Sequence, residues 1–416
     1  MKKIIYLALL AVFFLSISAP SFAKLTVVPG VSVKEEYNDN IFLDVSSKED
    51  DFITTVSPGV ELEYSHGKSL DMRLDYGLNF RFYSDHSNLN DTSIRETQNV
   101  EFQSQARPFN RVFIDISDVY DRVPVDVRER FAIDNAYSNM TDRNTFSVSP
   151  YMILPLTSTI STTIGYSYSN IWHRAEEPVD SYSHSAFMTI DKRFSSKINA
   201  ALKYRYLAYR PELSGDGTSV NEYDRHEGSV GIVYQATEGF RINGEVGRSQ
   251  TDFQGTDNTK TTFWNIGTDY NFGSSNIGAT YNYSLNDSPI SGSFKSSRID
   301  LRLETGRVLR LIVNPYYSSD KHININRKDK ITGVAFNISK PLSGKVNASL
   351  DAELERQELL PEDEKVRRYS LGSSLDYRLS EGITAGIGYR YNERDSDTGA
   401  DEFQNNIVRL QAKLTF

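Results

Sequence analysis

Charged side chains recur at every second position of this sequence, in runs where the residues between them are apolar. Asp71, Arg73 and Asp75 alternate with Met72, Leu74 and Tyr76, Lys203 and Arg205 with Leu202, Tyr204 and Tyr206, and Asp351 and Glu353 with Leu350, Ala352 and Leu354. Followed along the chain, the pattern gathers Arg73, Arg81, Arg107, Lys203, Arg205, Arg298, Arg302, Asp351, Glu353, Arg368, Arg378 and Arg390 into one set. The chemistry open to such a set is electrostatic. Charges of both signs on one face line a wet lumen and select what passes, or they pair across strands for solvation and register. For any single residue pairing is the default, and the channel role belongs to the set.

Covalent chemistry has little to work with. Cysteine is absent, which removes disulfides, thiolate metal sites and a cysteine nucleophile. No G-x-S-x-G, H-E-x-x-H or phosphate loop occurs, and the six histidines are scattered with none paired at metal spacing. The segment from Asp395 to Glu402 spaces its carboxylates like a calcium loop but lacks the closing glutamate of an EF-hand, so it reads as a solvated acidic loop. The expectation is a protein that is not an enzyme and uses no cofactor or metal.

The elements that hold the charged set must be strands. Leu70, Met72, Leu74, Tyr76, Leu78, Phe80 and Phe82 keep period two for more than a dozen residues, and Val408, Leu410, Ala412, Leu414 and Phe416 end the chain in the same rhythm. With 38% hydrophobic residues and a mean hydropathy of -0.47, long apolar helices are excluded, while 12% aromatics exclude a chain that buries nothing. Residues 1–23 have two lysines, an apolar run from Ile4 to Ile17 and small residues at Ser21 and Ala23, the plan of a cleaved signal peptide. Without Lys2 and Lys3 the formal charge moves from -9 to -11, which argues against a nucleic-acid partner.

Connections between the strands alternate in length. Short ones such as His66 to Lys68, Thr237 to Gly239 and Ser380 to Gly382 carry turn residues; long ones such as Asn38 to Asp51, Asp121 to Asp142, Asp320 to Lys330 and Glu393 to Glu402 are polar. Phe194, Phe240, Phe272 and Phe416 sit beside short turns and Tyr168, Tyr206, Tyr283, Tyr317 and Tyr391 near long loops, as two aromatic girdles would. Residues 24–416 therefore read as an all-β transmembrane antiparallel β-barrel of about 20 strands, with 18 the nearest alternative, having short periplasmic turns and long extracellular loops. The loop from Asp121 to Asp142 is the longest, and folded into the pore it would bring Arg128 and Arg130 within reach of solutes; a plain surface loop fits equally well.

Val31 to Leu43, with its Y-N-D-N element, and Asp50 to Tyr64, with D-D-F followed by S-P-G, resemble the N-terminal hairpin of the putative beta-barrel porin 2 family. The resemblance implies an outer-membrane barrel of a Gram-negative bacterium, with some members associated with exopolysaccharide and exosortase systems, and it carries over no catalytic residue. The ending LQAKLTF is similar to the signal read by the barrel-assembly machinery, with Phe416 last. The expected function is a pore or conduit for hydrophilic solutes, linked through the resemblance to exopolysaccharide export. The alternative is a structural or adhesion barrel with a closed lumen and partner-binding loops. Expected partners are outer-membrane lipid and lipopolysaccharide, the assembly machinery, and a secreted polysaccharide or its export components.

Overall fold

The computed structural model describes residues 23–124, 140–174, 179–212, 222–254, 258–288, 292–323, 327–361, 363–399 and 402–416. Residues 1–22 of the expected signal peptide and the arginines at 128 and 130 lie outside these residues. The strand segments run in order β1 (Ala23–Asn38), β2 (Asp51–His66), β3 (Leu70–Leu78), β4 (Phe80–Tyr83), β5 (Gln98–Phe109), β6 (Val112–Pro124) and β7 (Met140–Pro155). Then come β8 (Ile160–His173), β9 (Ser181–Arg193), β10 (Ile198–Pro211), β11 (Tyr223–Gln235), β12 (Phe240–Phe253), β13 (Thr259–Phe272) and β14 (Ser275–Ser288). Last are β15 (Gly292–Thr305), β16 (Arg310–His322), β17 (Lys328–Pro341), β18 (Val346–Leu360), β19 (Glu364–Arg378), β20 (Ile383–Ser396) and β21 (Phe403–Thr415). Segments β3 and β4 hold one register on β2, Gly59 opposite Gly77 and Val56 opposite Phe80, so they form a single stave and the barrel has 20. Each stave is antiparallel to its neighbours, and β1 pairs with β21 from Gly30 opposite Thr415 to Asn38 opposite Ile407. The sheet therefore has no free edge. In hydrocarbon an unpaired backbone group costs several kcal/mol, so closure is what allows the sheet to stand in a membrane.

The pleat sorts side chains into an outer and an inner set, and the ladder carries that sorting round the ring, with a register shift at the turn end of β5 between Ala106 and Phe109. Starting from Leu74 on the outside, the register places Leu202, Val230, Val246, Ile266, Leu301, Leu350, Leu371, Ile387 and Leu410 outward, all of them exposed. They are the apolar belt that lipid must cover.

At three prolines inside strands the ladder is interrupted on one side only. Pro58 stays paired to Val31, Pro150 to Ile114 and Pro315 to Val334, while the ladder lapses opposite them on β3, β8 and β15. A proline has no N–H to give, so one neighbour loses a bond. The preceding, inward residue bridges two of these gaps: Ser57 Oγ donates to Asn79 Oδ1 at 2.8 Å and Ser149 Oγ to Ser167 Oγ at 2.7 Å.

Around the outer face a Tyr-x-Tyr device recurs. The second tyrosine of each pair lies opposite a polar residue on the next strand, and the hydroxyl of the first reaches that residue. Tyr204 lies 2.8 Å from His226 Nδ1, Tyr389 donates to Asn406 Oδ1 at 2.7 Å, Ser297 donates to Tyr281 at 3.4 Å, and Tyr166 bonds His184. Tyrosines with an apolar body and a satisfied hydroxyl suit the membrane–water interface. These rings form the girdle at the loop end; Phe194, Phe240, Phe272 and Phe416 mark the other.

Strands run further toward the loop end than the sequence predicts. Where loops are expected from Asn286 to Ser293, Leu359 to Lys365 and Asp320 to Lys330, strand continues to Ser288, Leu360 and His322 and resumes at Gly292, Glu364 and Lys328. Both ends of the loop expected from Asp121 to Asp142 are strand, since Asp121, Arg122, Val123 and Pro124 pair with Arg143, Asp142, Thr141 and Met140. Fourteen-residue strands such as β10 span about 46 Å at about 3.3 Å per residue. Even tilted they exceed an apolar belt of about 25 Å, so their ends emerge. Beyond the belt outward residues turn polar and alternation disappears, while backbone pairing goes on.

The closing seam is fastened by the motif at the end of β1. Asn38 and Asn40 are fully buried: Asn40 Nδ2 donates to the carbonyls of Asp44 and Gln404, its Oδ1 accepts from Asp44 N–H, and Asn405 Nδ2 donates to Asn38 Oδ1. Asp39 takes both the backbone N–H of Asn406, at 2.6 Å, and its side-chain amide, at 2.7 Å. Asn40→Ala removes three of these bonds in a buried place, and at about 1 kcal/mol each it should lower stability by about 2–3 kcal/mol, read as a shifted urea midpoint for the refolded protein in micelles.

Candidate functional site

The inner face of the ring is the candidate site. Arg73, Arg81, Arg107, Lys203, Arg205, Arg298, Arg302, Asp351, Glu353, Arg368, Arg378 and Arg390 all fall on the face opposite the apolar belt. The structure thus collects them on one surface, spread along its whole height.

Most are paired. Arg73 reaches Glu61 at 3.1 Å and Asp75 at 3.0 Å, Lys203 reaches Glu245 at 2.7 Å, and Arg205 Nε donates to Glu227 at 2.8 Å. Arg298 holds Asp300 at 2.7 Å, while Glu304 lies between Arg302 and Arg310, and Arg81 reaches Asp91 at 3.3 Å. Partners two residues apart on one strand, as in Arg73 with Asp75, meet only because period two puts them on one side. Arg107 stacks 4.5 Å over the Phe113 ring. Charges near the turn end stay wet, with side-chain exposures of 55% for Arg73, 45% for Lys203 and 52% for Arg302. Screened pairs of this kind contribute little to stability, so their effect falls on the water and ions in the lumen.

Toward the loop end the same face is buried. Arg368 and Glu355, each 1% exposed, lie 3.0 Å apart, and Arg368 Nη1 also donates to Gln357 at 2.8 Å. The Tyr316 hydroxyl lies 2.9 Å from Glu353 and 2.7 Å from Glu355, its ring laid over Gly333, where a Cβ would come within 2.4 Å. The sequence sets Asp351, Glu353 and Glu355 on one strand against Arg368 and Arg378 on the next, and of these the structure joins Glu355 to Arg368. Glu355 takes Arg368, Asp351 reaches past Gly372 to Arg390 at 3.5 Å, and Arg378 is exposed at the turn end. Over Gly372, Gly386 and Gly388 the wall has a recess of about 250 Å³, lined among others by Asp351, Asp376, Arg390, Arg409 and Gln411.

Paired aromatics also face inward. Phe113 stacks on Tyr151 at 5.1 Å and Tyr209 on Tyr223 at 5.0 Å, with Arg225 4.6 Å over Tyr223. The alternation places these rings inside, but their partners depend on a register that the sequence does not print.

At the mouth, Ile53 of β2 and Tyr83 of β4 bury against Ile41, with Phe42 and Leu89 packed around them, so both of the first loops fold onto the inner face. His86 ties those loops together. Its Nδ1 lies 2.8 Å from Asp51 and its Nε2 2.7 Å from Glu49, while Asp51 also accepts the backbone N–H groups of Ser84, Asp85 and His86. Nothing in the sequence around His86 singles it out, because its partners lie on another loop. Among the described residues no group of ligands could hold a metal.

Two carboxylates on one ring, Asp51 first and Glu49 second, raise the His86 pKa and favour the imidazolium. The stability it adds is complete below the unfolded histidine value of about 6.5 and fades as pH climbs through the raised folded value. The gap in unfolding temperature between the wild type and His86→Gln should therefore be wider at about pH 6 than at about pH 9; equal gaps would refute the clamp. Arg368→Met strands a buried carboxylate and should cost about 3–5 kcal/mol in denaturant unfolding, much of it regained when Glu355→Leu is added.

No family model matches the sequence, and no curated protein matches it. Solved structures do. The copper transporter OprC is 9% identical, with 96% of this chain and 81% of that one covered at a TM-score of 0.53. The FrpB iron transporter from Neisseria meningitidis (F5-1 variant) is 12% identical over 93% and 82% of the two chains, TM-score 0.53. A mutant of the ferric enterobactin receptor PfeA from Pseudomonas aeruginosa is 8% identical over 94% and 80%, TM-score 0.56. At such identities the likeness is one of fold, and the fold they share with this chain is a transmembrane β-barrel.

Proposed function

We propose that the protein is an outer-membrane transport barrel of a Gram-negative bacterium, a conduit through whose lumen a hydrophilic solute moves without catalysis. The observation that carries this reading is the segregation of side chains: a continuous apolar exterior, and an interior whose charges near the turn end are about half exposed. Such an interior holds water, and a wet lumen selects by width and by the field of its side chains. The name of each neighbour, a copper transporter, an iron transporter and a ferric enterobactin receptor, fits a barrel that serves passage and not chemistry.

Within that reading the cargo we favour is a secreted polysaccharide. A wall whose charges are paired and locally balanced suits a long polar chain of low charge. The resemblance of the Y-N-D-N hairpin to the beta-barrel porin 2 family points the same way.

A second reading has its own observation. Arg368, Glu355, Ile53, Tyr83, Phe403 and Ile407 are buried on the inner face at the loop end, as in a structural or adhesion barrel sealed at its mouth. Single-channel conductance of the refolded protein in planar bilayers decides between them. The conduit reading expects steady conductance, with Lys203→Glu and Arg205→Glu together moving the reversal potential toward cation selectivity; silence would leave the sealed barrel.

A further inference from the structure

Outside the lumen, one stretch of the wall carries a charge arrangement that neither closure nor transport uses. On the outward face of β15, β16 and β17, Lys295 lies directly opposite Lys321, and Lys321 directly opposite Lys328. All three are at the loop end of their strands, and Lys321 and Lys328 are exposed. Like charges placed opposite one another across a ladder are destabilising. Among the described residues no carboxylate forms an ion pair with any of the three. One step toward the membrane, Lys330 and Arg356 share Glu358, at 3.1 and 3.3 Å. Further round, Arg367 faces Asp395 at 3.8 Å. The lysine row is thus an uncompensated positive strip on a chain whose formal charge is -9.

Its height matters as much as its sign. In the next outward row toward the membrane lie Tyr283, Ser297 and Ser319, and below them Tyr281, Ile299 and Tyr317. Tyr281 and Tyr283 belong to the girdle, and Ile299, Leu301 and Leu303 continue into the apolar belt. The strip therefore stands about one residue pair above the interface, at headgroup level, where a basic cluster attracts anionic lipid.

We propose that Lys295, Lys321 and Lys328 form a binding site for the phosphate groups of an outer-leaflet glycolipid, the lipid A end of lipopolysaccharide. This rests on the outer-membrane placement proposed above, and not on an open lumen. Three ammonium groups across adjacent strands lie about 10 Å from first to last, since strands are about 4.8 Å apart, a span over which they cooperate on one phosphorylated headgroup. The girdle tyrosines beneath would hold the sugar and acyl boundary.

The test titrates the refolded protein, in detergent micelles, with bis-phosphorylated lipid A and with the same lipid after removal of both phosphates. At about fivefold per lysine, the triple variant Lys295→Gln/Lys321→Gln/Lys328→Gln should bind the phosphorylated lipid on the order of 100-fold more weakly than the wild type. The single variant Lys321→Gln should fall between them, and the wild type should prefer the phosphorylated form. Equal binding by wild type and triple variant, or no preference for phosphate, would overturn the site; so would displacement of the lipid by millimolar inorganic phosphate, which would mark a site for free anions. A barrel that proves silent in bilayers leaves this titration unaffected, so the two readings fail separately.

Discussion

Everything in this molecule follows from the pairing of β1 with β21. A sheet in hydrocarbon cannot carry a free row of N–H and C=O groups, and ends of the chain nearly four hundred residues apart must meet to remove it. Once they do, the pleat leaves each residue only two destinations, lipid or lumen. The seam is held by more than ladder bonds: Asn38, Asp39 and Asn40 grip Gln404, Asn405 and Asn406, and Arg409 reaches Glu36 at 3.0 Å. The short polar motif at the end of β1 is, physically, the clasp of the ring.

The lumen that results is electrically mixed. Each arginine tends to find a carboxylate two residues along or one strand across, which keeps the wall charged yet locally balanced. The field inside is that of many small dipoles in place of one strong ring of charge. The loop-end half is different in kind, with ionic groups buried against each other and an apolar cluster around Ile41, Ile53 and Tyr83. The two halves divide the work: one is solvated, the other is packed.

Much of this was legible in the sequence, for a reason. Where lipid demands apolar residues, alternation is strict, so Leu70 to Phe82 and Val408 to Phe416 declare both their strands and their faces. The inward charged set followed from the same rule. Strand ends did not, because above the belt the outward face is as polar as the inward one and no period survives; Asp121 to Pro124 therefore read as loop while pairing in β6. Contacts that depend on register across a loop, such as His86 with Asp51 and Glu49, or Lys295 beside Lys321 beside Lys328, were beyond reach for a related reason. The sequence shows which residues face one way, and the length of each connection decides which of them become neighbours.

The proline lapses give the wall an uneven stiffness. Hydrogen bonds between staves resist any change in the cross-section, and at Pro58, Pro150 and Pro315 that stitching is missing on one side. Two of the gaps are crossed by a single hydroxyl, which tolerates rotation better than a backbone ladder does. The three sites lie on well-separated parts of the circumference, so the ring has built-in creases. Lateral pressure from the bilayer would flatten it along those lines first, and the shape of its bore would breathe between round and oval while the seam stays shut.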